Sequence, residues 1–149
     1  MRFHNQANVF SRNPSSLGEY LGVTKGSVSQ TIATLEERGL LRKKADKKDK
    51  RVVHLELTAK GRKVVVESPL QGLIGAVDTL DSTQQNEPLT YLEQVLLAQL
   101  DRQGRKPFGQ CQHCRHNCKT QGKYHCALLD VALNESSIEK NCVEFEKPQ

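Results

Sequence analysis

Residues Leu17 to Arg62 read LGEYLGVTKGSVSQTIATLEERGLLRKKADKKDKRVVHLELTAKGR, and the fold is decided there. Asn13 and Pro14 open a helix whose apolar side carries Leu17, Tyr20 and Leu21. Gly22 stops it, since glycine accepts the left-handed backbone that helix ends favour. Thr24 is an N-cap residue type for a second helix. From Lys25 to Arg38 the apolar positions are Val28, Ile32 and Leu35, the spacing of one helical face packed on a core. Gly39 ends that helix. Two helices across so short a turn make a helix-turn-helix. The predicted core contacts of the second helix are Leu17, Leu21 and Leu41.

Leu40 to Ala45 is extended, Asp46 to Lys50 is a charged turn, and Arg51 to Thr58 alternates. Val53, Leu55 and Leu57 share one face of this last run; Val52, His54 and Glu56 share the other. Such alternation marks a half-buried strand. The pair predicts a hairpin with a basic tip, a wing. Between Arg42 and Arg51 seven basic residues face two acids, a surplus equal to the +5 of the whole chain. The charge is therefore concentrated where phosphates could be neutralised. The second helix presents Thr24, Lys25, Gly26, Ser27, Ser29, Gln30 and Thr31 at its outward N-terminal end. Glutamine can pair bidentately with adenine in the major groove. With Lys47, Lys48, Lys50 and Arg51 of the wing, these are the expected DNA contacts.

Downstream, Thr58 caps a third helix through Lys60, Arg62 and Lys63, and Pro69 interrupts it or starts another. Leu70, Leu73, Ile74, Val77 and Leu80 keep helical spacing. Asp81 to Glu87 reads as a polar linker, and Pro88 as the start of a last helix carrying Leu89, Leu92, Val95, Leu96 and Leu100. A second linker, Gln103 to Pro107, precedes a segment that holds all five cysteines. His4 and His54 read as surface histidines, and residues 1–13 carry no clear pattern. The expected fold class is mainly α with a small β-hairpin wing (α+β). Its parts are a winged helix-turn-helix over residues 1–68, a helical dimerisation segment over 69–103 and a Cys-rich metal-binding tail over 108–149.

The motifs LGVTKGSVSQ, LEERGLL, the D-x-x-D-x-R run at Asp46, Asp49 and Arg51, and LTAKGR resemble the winged helix-turn-helix of the MarR transcription-regulator family. The resemblance covers about a third of the chain, and the helices up to Arg102 match it loosely. It implies a homodimer on a pseudo-palindromic operator, with Thr24 to Thr31 in the major groove. It also implies that Arg51 enters the minor groove, oriented by an acid such as Asp49, where a narrow groove favours arginine. The chain departs from the family pattern at its start. Residues 1–13 stand where the resemblance implies one long helix and most of another that help build the dimer. Dimerisation would then rest on residues 70–102, unless the chain is truncated.

The cysteines are spaced Cys111-x2-Cys114-x3-Cys118-x7-Cys126-x15-Cys142. A C-x2-C pair grips one ion from a tight turn, and a second pair can complete a tetrahedron. Cys111 and Cys114 form the expected knuckle, Cys126 and Cys142 the second pair, and Cys118 the spare or substitute. His113, His116 and His125 are further possible ligands. Ser136-x-x-Glu139 fits a capping box that would deliver Cys142. Leu128, Leu129, Val131, Leu133 and Ile138 would supply a small core. Zinc is the expected metal; an iron–sulfur cluster with four thiolates is the alternative. A tail of this kind is a structural staple, or it senses redox state or metal. Cys118 between Arg115 and Lys119 is the candidate reactive thiol.

Neither a signal-peptide pattern nor a membrane-length apolar run is present, so a cytoplasmic location is expected. Clustered cysteine there points to metal or redox chemistry rather than to disulfides. No nucleophile–base pair, glycine-rich phosphate loop or buried carboxylate pair can be assembled, so no enzyme is expected. The leading expectation is a dimeric, sequence-specific DNA-binding regulator with a metal-binding tail. The alternatives are an iron–sulfur redox or electron-transfer protein that docks through the winged helix, and a zinc-tail adaptor for another protein.

Overall fold

The computed structural model describes residues 1–46 and 51–148. The chain opens with helix α1 (Arg2–Gln6) and a 3-10 turn at Val9–Ser11. Helices α2 (Pro14–Leu21) and α3 (Lys25–Glu37) follow. Strands β1 (Leu41–Ala45) and β2 (Val53–Leu57) form an antiparallel hairpin, with Leu41 opposite Leu57 and Ala45 opposite Val53. Then come α4 (Ala59–Val66), α5 (Leu70–Val77) and α6 (Ser82–Arg102).

The tail is a small β-rich unit. It holds β3 (Gly109–Gln110), a 3-10 turn (Cys111–His113), β4 (Asn117–Thr120), β5 (Lys123–Cys126), β6 (Val131–Leu133), α7 (Glu135–Ile138) and β7 (Asn141–Cys142). Strands β4, β5 and β6 pair in that order, and β3 pairs with β7.

Each predicted helix start in the head has its physical cap. Asn13 accepts from Ser16 N–H, Thr24 from Ser27 N–H and Thr58 from Gly61 N–H. Gly22 sits at φ +66°, the conformation that lets α2 stop and α3 start at once. The head core is Phe3, Ala7, Leu17, Val28, Ile32, Leu41 and Leu55, with Leu35 and Phe108 packed on it. Leu21, expected in that core, is 50% exposed. Its place is filled from α1 and from Phe108, whose ring lies 5.2 Å from that of Tyr20.

Three further expectations are corrected. Ser82 to Glu87 is helix and Asp81 its N-cap, not linker. Asp81 caps Thr83 and Gln84 while the Gln84 side chain returns to the Asp81 N–H, a capping box that starts α6 six residues before Pro88. The tail helix starts from Asn134, not Ser136. Asn134 Oδ1 accepts from Ser137 N–H at 2.8 Å, while Ser136 turns its hydroxyl back onto Asn134. Residues 1–13 supply core. The tail's own core is Cys111, Ile138, Cys142 and Phe145, with Leu133 beside it; Leu128 is 46% exposed.

Helices α5 and α6 bury none of their residues. Leu89, Leu92, Val95 and Leu96 are 56–68% exposed on α6, and Leu70, Leu73 and Ile74 are 42–60% exposed on α5. No helix among the described residues is long and apolar enough to cross a membrane.

Candidate nucleic-acid interface and thiol cluster

Helix α3 is held by its Val28–Ile32 stripe, which is 2–3% exposed, and this fixes what it shows to solvent. Thr24, Lys25, Gly26, Ser27, Ser29, Gln30 and Thr31 are all exposed at its N-terminal end. They divide by the work their side chains already do. Thr24 and Ser27 are tied together at 3.1 Å in the cap, and Thr31 donates to Ser27 O at 2.8 Å. Lys25, Ser29 and Gln30 hold no side-chain hydrogen bond among the described residues, so their polar ends are available to a ligand.

The wing is more neutral at its base than the sequence suggested. Arg42 and Lys44 both sit on Glu56, at 2.6 and 2.8 Å, and Lys43 sits on Glu36 at 2.6 Å. The hydrogen bond from Lys43 lowers the pKa of Glu36, and those from Lys44 and Arg42 lower that of Glu56. Beyond the base, Arg51 is exposed, while Lys47, Lys48, Asp49 and Lys50 lie outside the described residues.

The tail is bound to the head through residues 5–13 and through one arginine. Ser11 Oγ accepts from Val143 N–H at 2.9 Å, and Asn8 N–H donates to Asn141 O at 2.8 Å. On the other side of the same turn, Arg12 O accepts from Leu55 N–H of the wing at 2.7 Å. Arg105 donates to Glu19 O and Tyr20 O, two of the carbonyls that end α2. Sequence reasoning missed this strut. Its one signal was Asn8, a polar residue that turns out only 2% exposed.

The five cysteines carry free thiols and divide by position. Cys111 and Cys142 are buried side by side, with Cys114 packed on the same cluster. Asn8 Nδ2 donates to Cys111 Sγ at 3.4 Å. The hydrogen bond from Cys111 lowers the Cys142 thiol pKa, helped by Asn8, the Glu144 N–H and Ser11 against the effect of burial. Cys111, the donor of that bond and itself buried, is pushed up. Cys126 is half-buried at the end of β5, opposite Asn117, and Cys118 is exposed on β4 opposite His125. Among the described residues no three His, Cys, Asp or Glu side chains stand together as a metal-holding group. As arranged, the expected ligands form a close pair with a neighbour rather than a tetrahedron. His113 is exposed, His116 lies 3.4 Å from Glu146, and His125 lies 3.1 Å from Asp130.

His4 is not a surface residue. It is 3% exposed, and burial, the chain's N-terminal charge and Arg12 hold its pKa down to about 4. Below its ordinary value of 6.5 the unfolded chain takes up a proton that the folded chain refuses until about pH 4. Stability should therefore fall as the solution is acidified through that window, by up to roughly 3 kcal/mol. Urea denaturation at about pH 7 and pH 5 checks this. A midpoint that does not move, or moves equally in His4→Gln, would refute the assignment.

Residues 11–61 match the model of a winged helix DNA-binding domain. The cysteine segment lies outside that match. The chain is similar to the transcriptional repressor MprA of Escherichia coli (strain K12), 29% identical over 93 residues, 61% of this chain and 53% of that protein. It thus spans about half the length of the curated relatives it matches. Among solved structures it is similar to Streptococcus pneumoniae FabT in complex with DNA, with TM-score 0.52 and 27% identity over 65% of this chain and 70% of that one. The transcriptional regulator SlyA shares the fold, with TM-score 0.52 and 18% identity over 68% and 71% of the two chains.

Proposed function

We propose that this chain is a sequence-specific transcriptional regulator of the MarR type rather than an enzyme, since residues 11–61 match a winged helix DNA-binding domain and the chain is 29% identical over 93 residues to a transcriptional repressor. The observation that carries this reading is the N-terminal end of α3. An apolar stripe anchors the helix from behind, while Lys25, Ser29 and Gln30 are exposed with their side-chain polar groups unengaged among the described residues. In this reading those three side chains meet base edges, and Thr24, Gly26, Ser27 and Thr31 line the approach to the major groove. Arg51 and the wing lysines 47, 48 and 50 neutralise phosphates or enter the minor groove alongside.

The partner expected for the exposed stripe of α5 and α6 is a second copy of the chain. A contiguous apolar stripe is unusual on a monomer surface, and a two-fold pair would place two α3 helices on a pseudo-palindromic duplex. The tail is proposed to bind a metal through Cys111, Cys114, Cys126 and Cys142, with Cys118 as a substitute ligand or reactive thiol. Support comes from the shared burial of Cys111, Cys114 and Cys142 and from the N–H that Asn8 gives to Cys111 Sγ. Zinc would be a staple; an iron–sulfur cluster would be coloured and redox-active. The attachment of the tail to the turn at Val9–Ser11 favours a regulatory use, because that turn also bonds the wing. The cysteine cluster keeps a second reading open, an iron–sulfur redox or electron-transfer protein docking through its winged helix.

Duplexes selected from a random pool should yield a preferred sequence. Lys25→Ala and Gln30→Ala should each weaken binding to it by roughly 1–3 kcal/mol and relax discrimination at one position. Equal affinity and unchanged sequence preference in both variants would remove α3 from the interface.

A further inference from the structure

The base of the wing, the N-terminal segment and the tail enclose a polar cleft of about 440 Å³. We propose that this cleft binds a small oxyanion, a phosphate group free or carried on a metabolite, gripped by Arg12, Arg62 and Lys140 at the first turn of α4. Nothing in the DNA-binding reading requires such a site.

Charge is the first argument. The cleft is lined by Arg12, Arg42, Arg62 and Lys140, and Glu56 is the one acid among its described lining residues. That acid is already engaged on both oxygens, by Arg42 on Oε2 and Lys44 on Oε1. The other three cations therefore face the cleft with no carboxylate partner among the described residues, and the positive potential they create favours an anion. They are also held in place. Arg12 Nε donates to Ala7 O, Arg62 Nη1 to Leu57 O and Lys140 Nζ to Asn5 O. Each bond fixes one edge of the side chain and leaves further N–H groups to give, so little ordering is needed on binding.

Helix α4 adds its N-terminus. Ala59, its first residue, lines the cleft, while the Thr58 cap serves the Gly61 N–H and leaves the first N–H groups unclaimed within the helix. An independent observation is His4. It lines the same cleft, is 3% exposed, and its Nδ1 has no hydrogen-bond partner among the described residues. A buried ring nitrogen is rarely left without a bond. A neutral imidazole can give its ring N–H to a bound oxyanion.

Lys140 comes from the cysteine tail, Arg12 and His4 from the N-terminal strut, and Arg62 from the winged helix. An anion here would touch all three, and no one of them forms the cleft alone.

Isothermal titration of inorganic phosphate into the full chain tests this. Saturable binding is expected, weakened roughly tenfold or more by Lys140→Gln and by Arg62→Gln, as for loss of one charge-assisted hydrogen bond. Lys140→Gln should leave the melting temperature unchanged, since among the described residues its side chain makes a single, long bond at the surface, to Asn5 O at 3.3 Å. No saturable binding by the wild-type chain, or equal binding by both variants, would overturn the proposal. Repeating the titration with duplex DNA bound at low salt separates the two sources of phosphate. Retained binding supports a small-anion pocket; exclusion by the duplex would mean a DNA backbone contact and overturn it.

Discussion

Gly61→Ala is expected to destabilise the winged helix by about 3 kcal/mol or more, against what helix propensity predicts. In an exposed helix interior, alanine is better than glycine by about 1 kcal/mol. Gly61, however, is buried where α4 passes the turn after α3, and a Cβ there would collide with the carbonyl oxygen of Leu40. That oxygen cannot swing aside freely, because it accepts from Thr58 N–H at 3.1 Å. Thr58 in turn caps Gly61 N–H and donates to Gly39 O. Relief would break the cap, the end of α3 or the root of the wing. Gly72 is the control. A Cβ there meets nothing among the described residues within 4 Å, so Gly72→Ala should be neutral or stabilising by up to about 1 kcal/mol. Urea denaturation of the two variants reads the contrast. Equal stability would show that α4 does not lie on the Leu40 carbonyl.

With a metal bound in the tail as proposed, Cys111→Ser should take its occupancy from full to negligible by elemental analysis after anaerobic purification. The sulfur is buried beside Cys142, and its partner in the knuckle is three residues away. A serine hydroxyl cannot replace a thiolate, and only three of the four proposed ligands then remain unless Cys118, exposed on β4, moves in as the substitute. In small metal-folded units the ion supplies on the order of 10 kcal/mol, so the variant's tail should also become protease-sensitive. Cys118→Ser, altering an exposed thiol on β4, should retain the metal. The absorption spectrum of the wild type then distinguishes colourless zinc from a coloured cluster. Full occupancy in Cys111→Ser, or loss in Cys118→Ser, would refute the ligand set.

The head was legible because its signals are local. Gly22, Thr24 and the Val28–Ile32 repeat each act within one turn of helix, and β2 alternates over a handful of residues. The N-terminal strut was not legible. Helix α1 has only five residues, too short for a periodicity to emerge, and the burial of Phe3, His4 and Asn8 depends on partners far along the chain. Pro88 misled for a related reason. A proline near a helix start is read as the start, while Asp81 and Gln84 had already closed the cap one and a half turns earlier. In the tail, spacing showed that thiols would cluster but not which ones. Cys111 reaches Cys142 because β3 pairs with β7, placing Gly109 opposite Cys142, and only a register could reveal that. The same long-range placement hid Phe145, which a Cβ on Gly109 would strike at 2.7 Å.

In the proposed complex the polar end of α3 enters duplex DNA while wing cations grip its phosphates. Its most direct test is the affinity of the full chain for its selected duplex across a salt series. Tight binding is expected at low salt, falling steeply by roughly a hundredfold or more between about 50 and 200 mM. Lys25→Ala should bind more weakly throughout the series. Absence of duplex binding at low salt, or an affinity indifferent to salt and to Lys25, would contradict it.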